Sequence, residues 1–290
     1  NYLDCLIRVG NDILEGINES GLSPETVAKL DEVYNHLVEH SFLDEEIRLA
    51  MQLLIVKAFK HNSTFPLDLM TPDSISFLFA FIIGMYFSEN HENLLIAEIG
   101  LGTGNLINAI CNFLESQSEE YYPKLIGIEH EQRLAELAKV NTDLQGNEIQ
   151  ILLNDALSPN YITADAIVGD LDSKIVEGKY FPYLIINYYL NHLNDGGIFI
   201  YLIANDFFNQ VGVNEFRKEF TGTLLGLIVL PESIFKDNVI GKSLLIGTNK
   251  EINNYEMLVM NLLSIVDKDI MEKHIGDITD WILNLKGMLN

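Results

Sequence analysis

The sequence predicts an α/β fold in which a mainly parallel, doubly wound sheet is preceded by a helical module. Three observations carry this. Residues 1–61 show helical periodicity with no strand signal. From Asn93 onward, short apolar runs alternate with helical segments. A glycine-rich turn, AEIGLGTGN at 97–105, joins the first of those runs to the helix after it. Strands separated by helices pair in parallel, because each helix returns the chain to the same end of the sheet.

In the N-terminal part, Ser23-Pro24-Glu25 reads as a helix start, with proline at the first helical position and acid in the first turn. Val27, Leu30, Val33, Tyr34 and Leu37 follow at helical spacing. A second helix is predicted from Asp44 to Phe59, with Ile47, Met51, Leu54, Ile55 and Ala58 on one face that needs covering by the main domain or a second copy of the chain. The stretch 61–66 breaks the pattern, and another helix begins near Thr71-Pro72-Asp73. The apolar run from Ile75 to Phe87 falls short of the roughly 20 residues that cross a bilayer and reads as a buried helix.

Strands are then predicted at 94–99, 125–129, 149–153, 166–168, 198–203, 224–230 and 244–246, with helices at 103–115, 131–140, 180–193 and 213–220. The last two strands have no evident helix between them, so an antiparallel edge hairpin is expected. Residues 251–290 add mixed structure ending in a helix that carries the chain's one tryptophan, Trp281. The domains expected are therefore a helical module at 1–64, the sheet domain at 65–250 and an extension at 251–290.

Composition narrows the function. The chain has 42 Asp and Glu against 18 Lys and Arg, a formal net charge of −24. A field of that sign repels nucleic acid, although Lys174, Lys179, Lys236 and Lys242 leave room for a local basic patch. Cys5 and Cys111 lie far apart, outside any zinc or disulfide pattern, and fit a reducing cytoplasm. The opening residues lack the basic start and cleavage pattern of a signal peptide. His36 to His40 spells H-x-x-E-H, but the helix is short and acidic and no third ligand can be placed, so no metal is expected.

The glycine loop points to a nucleotide-like ligand at the head of a helix. Gly100 and Gly102 allow a tight turn and close backbone approach, and Gly104 is read as letting the helix sit near the strand. Two ligands compete, a dinucleotide and S-adenosylmethionine. Dinucleotide sites favour GxGxxG with an acid about 20 residues on. Here the spacing is GxGxG, and Glu129 lies well beyond that distance. Glu98 would repel a pyrophosphate but attract the ammonium and sulfonium of S-adenosylmethionine. On this reading Glu129 accepts both ribose hydroxyls and Asp155 an adenine amino group. Each also has a plainer role as a helix cap, and Gly196-Gly197 as a turn. The fold class predicted is then a class I methyltransferase (Rossmann-like) sheet of seven strands.

Four segments occur in a telling order: MTPDSISFL at 70–78, GTGNL at 102–106, VGDLD at 168–172 and LPESIF at 230–235. Over about residues 20–250 the chain resembles the N6-adenine DNA methylases, and among them the YtxK-like bacterial proteins. The resemblance implies that Thr71 meets the methionine carboxylate of the cofactor and that Glu98, Gly100, Gly102 and Gly104 line its methionine end. It also implies that Asp170 occupies the first position of the catalytic Asn/Asp-Pro-Pro-aromatic motif, where a side chain accepts from the target amino group. The segment here is Asp170-Leu171-Asp172-Ser173, with neither proline nor the aromatic, so the motif is degenerate and weak adenine methylation is expected. Tyr180 or Phe181 is the nearest substitute for the missing stacking face. A cofactor-binding interaction module and a methyltransferase for a non-DNA acceptor are the alternatives, and a homodimer through the N-terminal helices is a further expectation.

Overall fold

The computed structural model describes residues 2–17, 21–62, 65–66, 69–88, 93–118, 122–235, 240–253 and 255–289. Lys236 lies outside the described residues, as does part of the break at 61–66.

Four helices precede the sheet: α1 (Tyr2–Glu15), α2 (Pro24–Val38), α3 (Asp44–Asn62) and α4 (Asp73–Tyr86). α2 starts as its sequence dictates, with the Ser23 hydroxyl accepting from the Thr26 N–H at 3.3 Å. Its apolar stripe is only half covered, and none of its described side chains is fully buried. α3 is better anchored. Met51, Ile55 and Phe59 pack with Leu3 and Ile7 of α1 and with Leu134, Leu137 and Val140 of the sheet domain. The main domain thus covers the stripe expected to need a partner, except Leu54, which stays 41% exposed.

The sheet has the order β3 (Ile149–Leu153), β2 (Lys124–Glu129), β1 (Leu95–Ile99), β4 (Ala164–Asp170), β7 (Leu193–Ala204), β9 (Lys242–Thr248), β8 (Thr223–Val229), β10 (Leu258–Asn261). From β3 through β7 all pairings are parallel. β9 runs against both β7 and β8. The antiparallel pair expected at the end of the sheet is present, but β9 lies inside it. β10 pairs parallel with β8 and makes eight strands where seven were expected. A separate two-stranded hairpin, β5 (Ile175–Val176) and β6 (Lys179–Tyr180), follows β4 and turns through left-handed Glu177 and Gly178.

Helices cover both faces, as in a doubly wound sheet. α4, α5 (Asn105–Gln117), α6 (Gln132–Leu144) and α9 (Lys268–Leu289) lie on one side. α7 (Phe181–Leu190) and α8 (Val213–Glu219) lie on the other, over an aromatic core that includes Tyr183, Tyr189, Phe199, Tyr201, Phe207 and Phe216. α4 is apolar nearly all round because it is sandwiched, with Ile75, Leu78, Phe79 and Ile83 fully buried. Trp281 of α9 sits over Gly226 of β8, where a Cβ would come within 3.1 Å of its ring. Its indole N–H donates to the Tyr255 hydroxyl at 2.8 Å. Among the described residues, no helix is long and apolar enough to cross a membrane.

Because Ile55 is fully buried in the seam between α3 and α6, Ile55→Ala should destabilise the protein by about 2–5 kcal/mol. Leu53→Ala, on the exposed side of the same helix, should change stability by less than about 0.5 kcal/mol. Urea unfolding midpoints of the two variants check the assignment of faces.

Candidate cofactor site

At the C-terminal edge of the sheet, three carboxylates project from one face of three neighbouring strands. Glu98 of β1 lies opposite Gly127 of β2 and Val168 of β4. Glu129 and Asp170 are two residues further along their strands, about 7 Å at strand rise, so Glu98 is recessed between them. All three lie on the side of the strands that carries Leu125, Ile96 and Val168, because alternate residues share a face. Glu98 is buried, and its Oε2 accepts from the Ile107 N–H at 3.1 Å, in the first turn of α5. Burial raises its pKa well above the carboxylate range; the charges of Glu129 and Asp170 push it further, against the lowering effect of the Ile107 N–H.

The glycine loop closes over this row. Gly100, Gly102 and Gly104 all have positive φ, of 74°, 56° and 72°, which L-residues with a Cβ rarely adopt. Gly100 has open space on its Cβ side, and at Gly102 the nearest atom is the Leu69 carbonyl at 3.5 Å. Gly104 is different: a Cβ there would sit 3.3 Å from Ala138 of α6, so this glycine admits the neighbouring helix, not the strand the sequence suggested. Glu129 accepts from the Gly102 N–H at 2.8 Å, and from the His130 and Glu131 N–H groups at 2.8 and 2.9 Å. The carboxylate predicted for a ribose therefore also holds the loop.

Thr71 is buried, and its carbonyl accepts from the Asn105 side chain at 3.1 Å, which brings the TPDSI segment to the head of α5. Asp155 follows β3 and stands outside this cluster. It is exposed, and its Oδ1 accepts from the Leu157 N–H at 2.7 Å in a local turn. Asp170 at the end of β4 meets Lys242 at 2.5 Å; Lys242 opens β9 opposite Ala204. Lys174 is paired with Asp172 at 3.1 Å and lies 4.4 Å from the centre of the Phe181 ring. Two of the four lysines considered as a nucleic-acid landing site are therefore engaged with carboxylates. Tyr180 does not reach the site as a stacking face. Its ring is buried against Tyr183 and Phe207, and its hydroxyl bonds to Ser173 at 3.0 Å.

Sequence reasoning missed the support beneath the loop. Asn105, Asn108 and Asn112 fall at helical spacing on one side of α5 and are all buried. Asn108 donates to the Gly104 carbonyl and to Thr142 of α6, both at 2.9 Å. Asn141 of α6 donates to the Thr103 carbonyl at 3.0 Å, and Gln145 receives the Asn112 amide at 3.0 Å. Arg48 of α3 reaches Asn105 at 2.8 Å. A polar stripe at helical spacing directly after a glycine loop was the available signal. On the far face of the sheet, a cleft of about 150 Å³ opens at the ends of β7 and β8, lined by Asn205, Phe207, Phe208, Leu227 and Ser243. Among the described residues, no group of three or more His, Cys, Asp or Glu could hold a metal ion.

The residues suit a cationic ligand. A row of three carboxylates offers acceptors, the loop leaves open space beside Gly100, and the buried Thr103 Oγ1 has no hydrogen-bond partner.

The raised pKa of Glu98 makes stability fall with rising pH. Below the ordinary carboxylate range both folded and unfolded chains hold the proton. Above it the unfolded chain releases the proton first, so the folded state loses stability until Glu98 itself ionises. Glu98→Gln should flatten this decline between the ordinary carboxylate value and the raised one, measured by thermal unfolding across a pH series without ligand.

Comparison with known proteins agrees with this architecture. No family model matches the chain. It is 26% identical over 254 residues to an uncharacterized protein, YtxK, of Bacillus subtilis (strain 168), covering 81% of this chain and 75% of that protein. The crystal structure of a candidate class I S-adenosylmethionine-dependent methyltransferase from Listeria monocytogenes superposes with a TM-score of 0.85 at 25% identity, over 97% of this chain and 92% of that one. The methyltransferase subunit of a type I restriction-modification system from Streptococcus thermophilus gives 0.61 at 15% identity, over 89% of this chain and 63% of that one. The fold is that of the class I methyltransferases.

Proposed function

We propose that the chain is an S-adenosylmethionine-dependent methyltransferase acting on an amino group of an acceptor other than duplex DNA. The observation that carries the cofactor is the recessed row of Glu98, Glu129 and Asp170 beside three left-handed glycines. Supporting it is the 0.85 superposition on a candidate enzyme of that class. When bound, S-adenosylmethionine supplies an electrophilic methyl group on a cationic sulfur.

The chain's own groups divide the work. Glu98, the most recessed, would face the methionine ammonium, with Thr71 toward its carboxylate. Glu129 would hold the ribose hydroxyls while keeping Gly102 in place, and Asp155 would accept from the adenine amino group at the outer end. Binding a cation beside Glu98 favours its ionised form, which opposes the cost of burial. Asp170 would accept a hydrogen bond from the acceptor's amino group, leaving the nitrogen lone pair available for attack. Lys242 donates to Asp170 Oδ1 and so orients that carboxyl group at the end of β4.

The surroundings of Asp170 favour an acceptor other than a stacked base. Stacking on an aromatic is worth roughly 1–3 kcal/mol per base, and the position that would supply it is the exposed Ser173. Of the two alternative rings, Tyr180 belongs to the core, and Phe181 is half-buried with the Lys174 ammonium 4.4 Å from its centre. Asp172 adds a second carboxylate, and the net charge of −24 opposes approach of a phosphate backbone.

Calorimetry with S-adenosylmethionine should give single-site binding that weakens at least tenfold in Glu98→Ala, the loss expected for one charge-assisted contact. Clear heat for NAD and none for S-adenosylmethionine would remove the assignment. With labelled cofactor, transfer to a component of cell lysate should disappear in Asp170→Ala, while unmethylated DNA stays unlabelled. Adenine labelling that depends on Asp170 would show the acceptor to be DNA.

A further inference from the structure

α3 belongs to the helices that precede the sheet, yet one of its side chains reaches the head of the glycine-loop helix. Arg48 is 2% exposed, the deepest cation described. Its Nε and Nη2 donate to the two oxygens of Glu45 at 2.7 and 2.6 Å. Its Nη1 donates to Asp73 Oδ1 at 2.9 Å and to Asn105 Oδ1 at 2.8 Å. Asp73 opens α4 and Asn105 opens α5. Asn105 in turn donates to the Thr71 carbonyl at 3.1 Å, and Gln52 of α3 adds a 3.0 Å bond to Asp73. One guanidinium therefore fixes the starts of two helices and, through Asn105, the backbone of Thr71.

We propose that Arg48 is a positioning residue for the glycine loop, and that docking of α3 is thermodynamically linked to occupancy of the cofactor site. The linkage to cofactor rests on the S-adenosylmethionine reading above; the effect on loop geometry does not. The two segments that Arg48 ties together lie against each other at the glycine loop, since the Leu69 carbonyl is the nearest atom to the Cβ direction of Gly102. Only a planar fork of donors can satisfy Glu45 bidentately and still hold Asp73 and Asn105. Removing it would leave a buried amide oxygen at the head of α5 without its cationic donor, so the local backbone must rearrange to find another. Linkage is reciprocal: a ligand that needs the loop in this geometry must also favour the docked α3.

The test uses the full chain with Arg48→Met, which keeps the aliphatic bulk, Arg48→Lys, which keeps the charge, and Asn105→Ala, which leaves the Glu45 pairing intact. Hydrogen exchange read by mass spectrometry should rise roughly tenfold in peptides covering 69–73 and 100–107 in all three variants, with β4 and β9 unchanged. Asn105→Ala should show this without faster exchange in α3, which keeps the proposal testable if both Arg48 variants fail to fold. The S-adenosylmethionine dissociation constant should rise about tenfold in Arg48→Met, and cofactor added to the wild type should slow exchange in α3. An arginine that merely anchors α3 would speed exchange in 44–62 alone and leave both loop exchange and cofactor affinity at wild-type values, which overturns the proposal. Loop exchange that rises in a protein whose wild type binds no S-adenosylmethionine would sustain the positioning role and remove the cofactor linkage.

Discussion

Between Ile99 and Asn105 the backbone enters a buried corner in a conformation that makes few hydrogen bonds of its own. Peptide groups in such a place are expensive to leave unpaired, so their partners must come from elsewhere. The Gly100 and Leu101 N–H groups take the Ile128 carbonyl, at 3.0 and 2.9 Å. Gly102 takes Glu129, the Thr103 carbonyl takes Asn141, the Gly104 carbonyl takes Asn108, and the Ile107 N–H takes Glu98. Much of the polar burial in this half of the molecule follows from that need. It explains why α5 and α6 face each other through asparagines, threonine and glutamine where an ordinary helix pair would use leucines.

The same corner concentrates negative charge. Glu98 ends up between two other carboxylates because strand pairing fixes the register, and register leaves no freedom to separate side chains on one face. The fold tolerates the repulsion by holding the inner carboxyl on a helix N-terminus and the outer two on backbone amides or on Lys242. An acidic chain of this kind has little positive charge to spend. Arg48 and Lys242 accordingly sit where carboxylates crowd.

Much of the fold was readable from the chain because strand interiors are continuous apolar runs and the helices between them keep a clear period. β3 matches its predicted span, and the strands around the glycine loop differ by a residue or two. β10 escaped because it is a short edge strand: the apolar run Met257 to Met260 is interrupted by Asn261, and a run of that length reads equally well as strand or helix. β7 begins five residues before its predicted start because Gly196-Gly197 resembles a turn. In the fold the two glycines fall where β7 carries extra residues opposite Ala164–Ala166 of β4, and Gly196 is left-handed at φ 75°, so the chain kinks there and still pairs on both sides. The carboxylates of the candidate site were legible because each stands at or next to the end of an apolar strand. Arg48, the asparagine stripe and Lys242 were not, since what they do depends on which helix or strand lies next to them, and that is fixed only by tertiary packing.

The reversed direction of β9 has a consequence for how such a site can diversify. Every parallel strand reaches the functional edge with its last residues, so changing those residues also changes the loop and helix that follow. β9 arrives with its first residue, Lys242, fed by the segment after β8 and leaving toward the opposite edge. The charge beside Asp170 can therefore be exchanged by altering one strand entrance, while the strands and loop that frame the other carboxylates stay as they are. On the function proposed above, acceptor preference and cofactor retention would be housed on pieces of chain that can drift separately, and a lineage built on this sheet could change what it modifies without first losing its methyl donor.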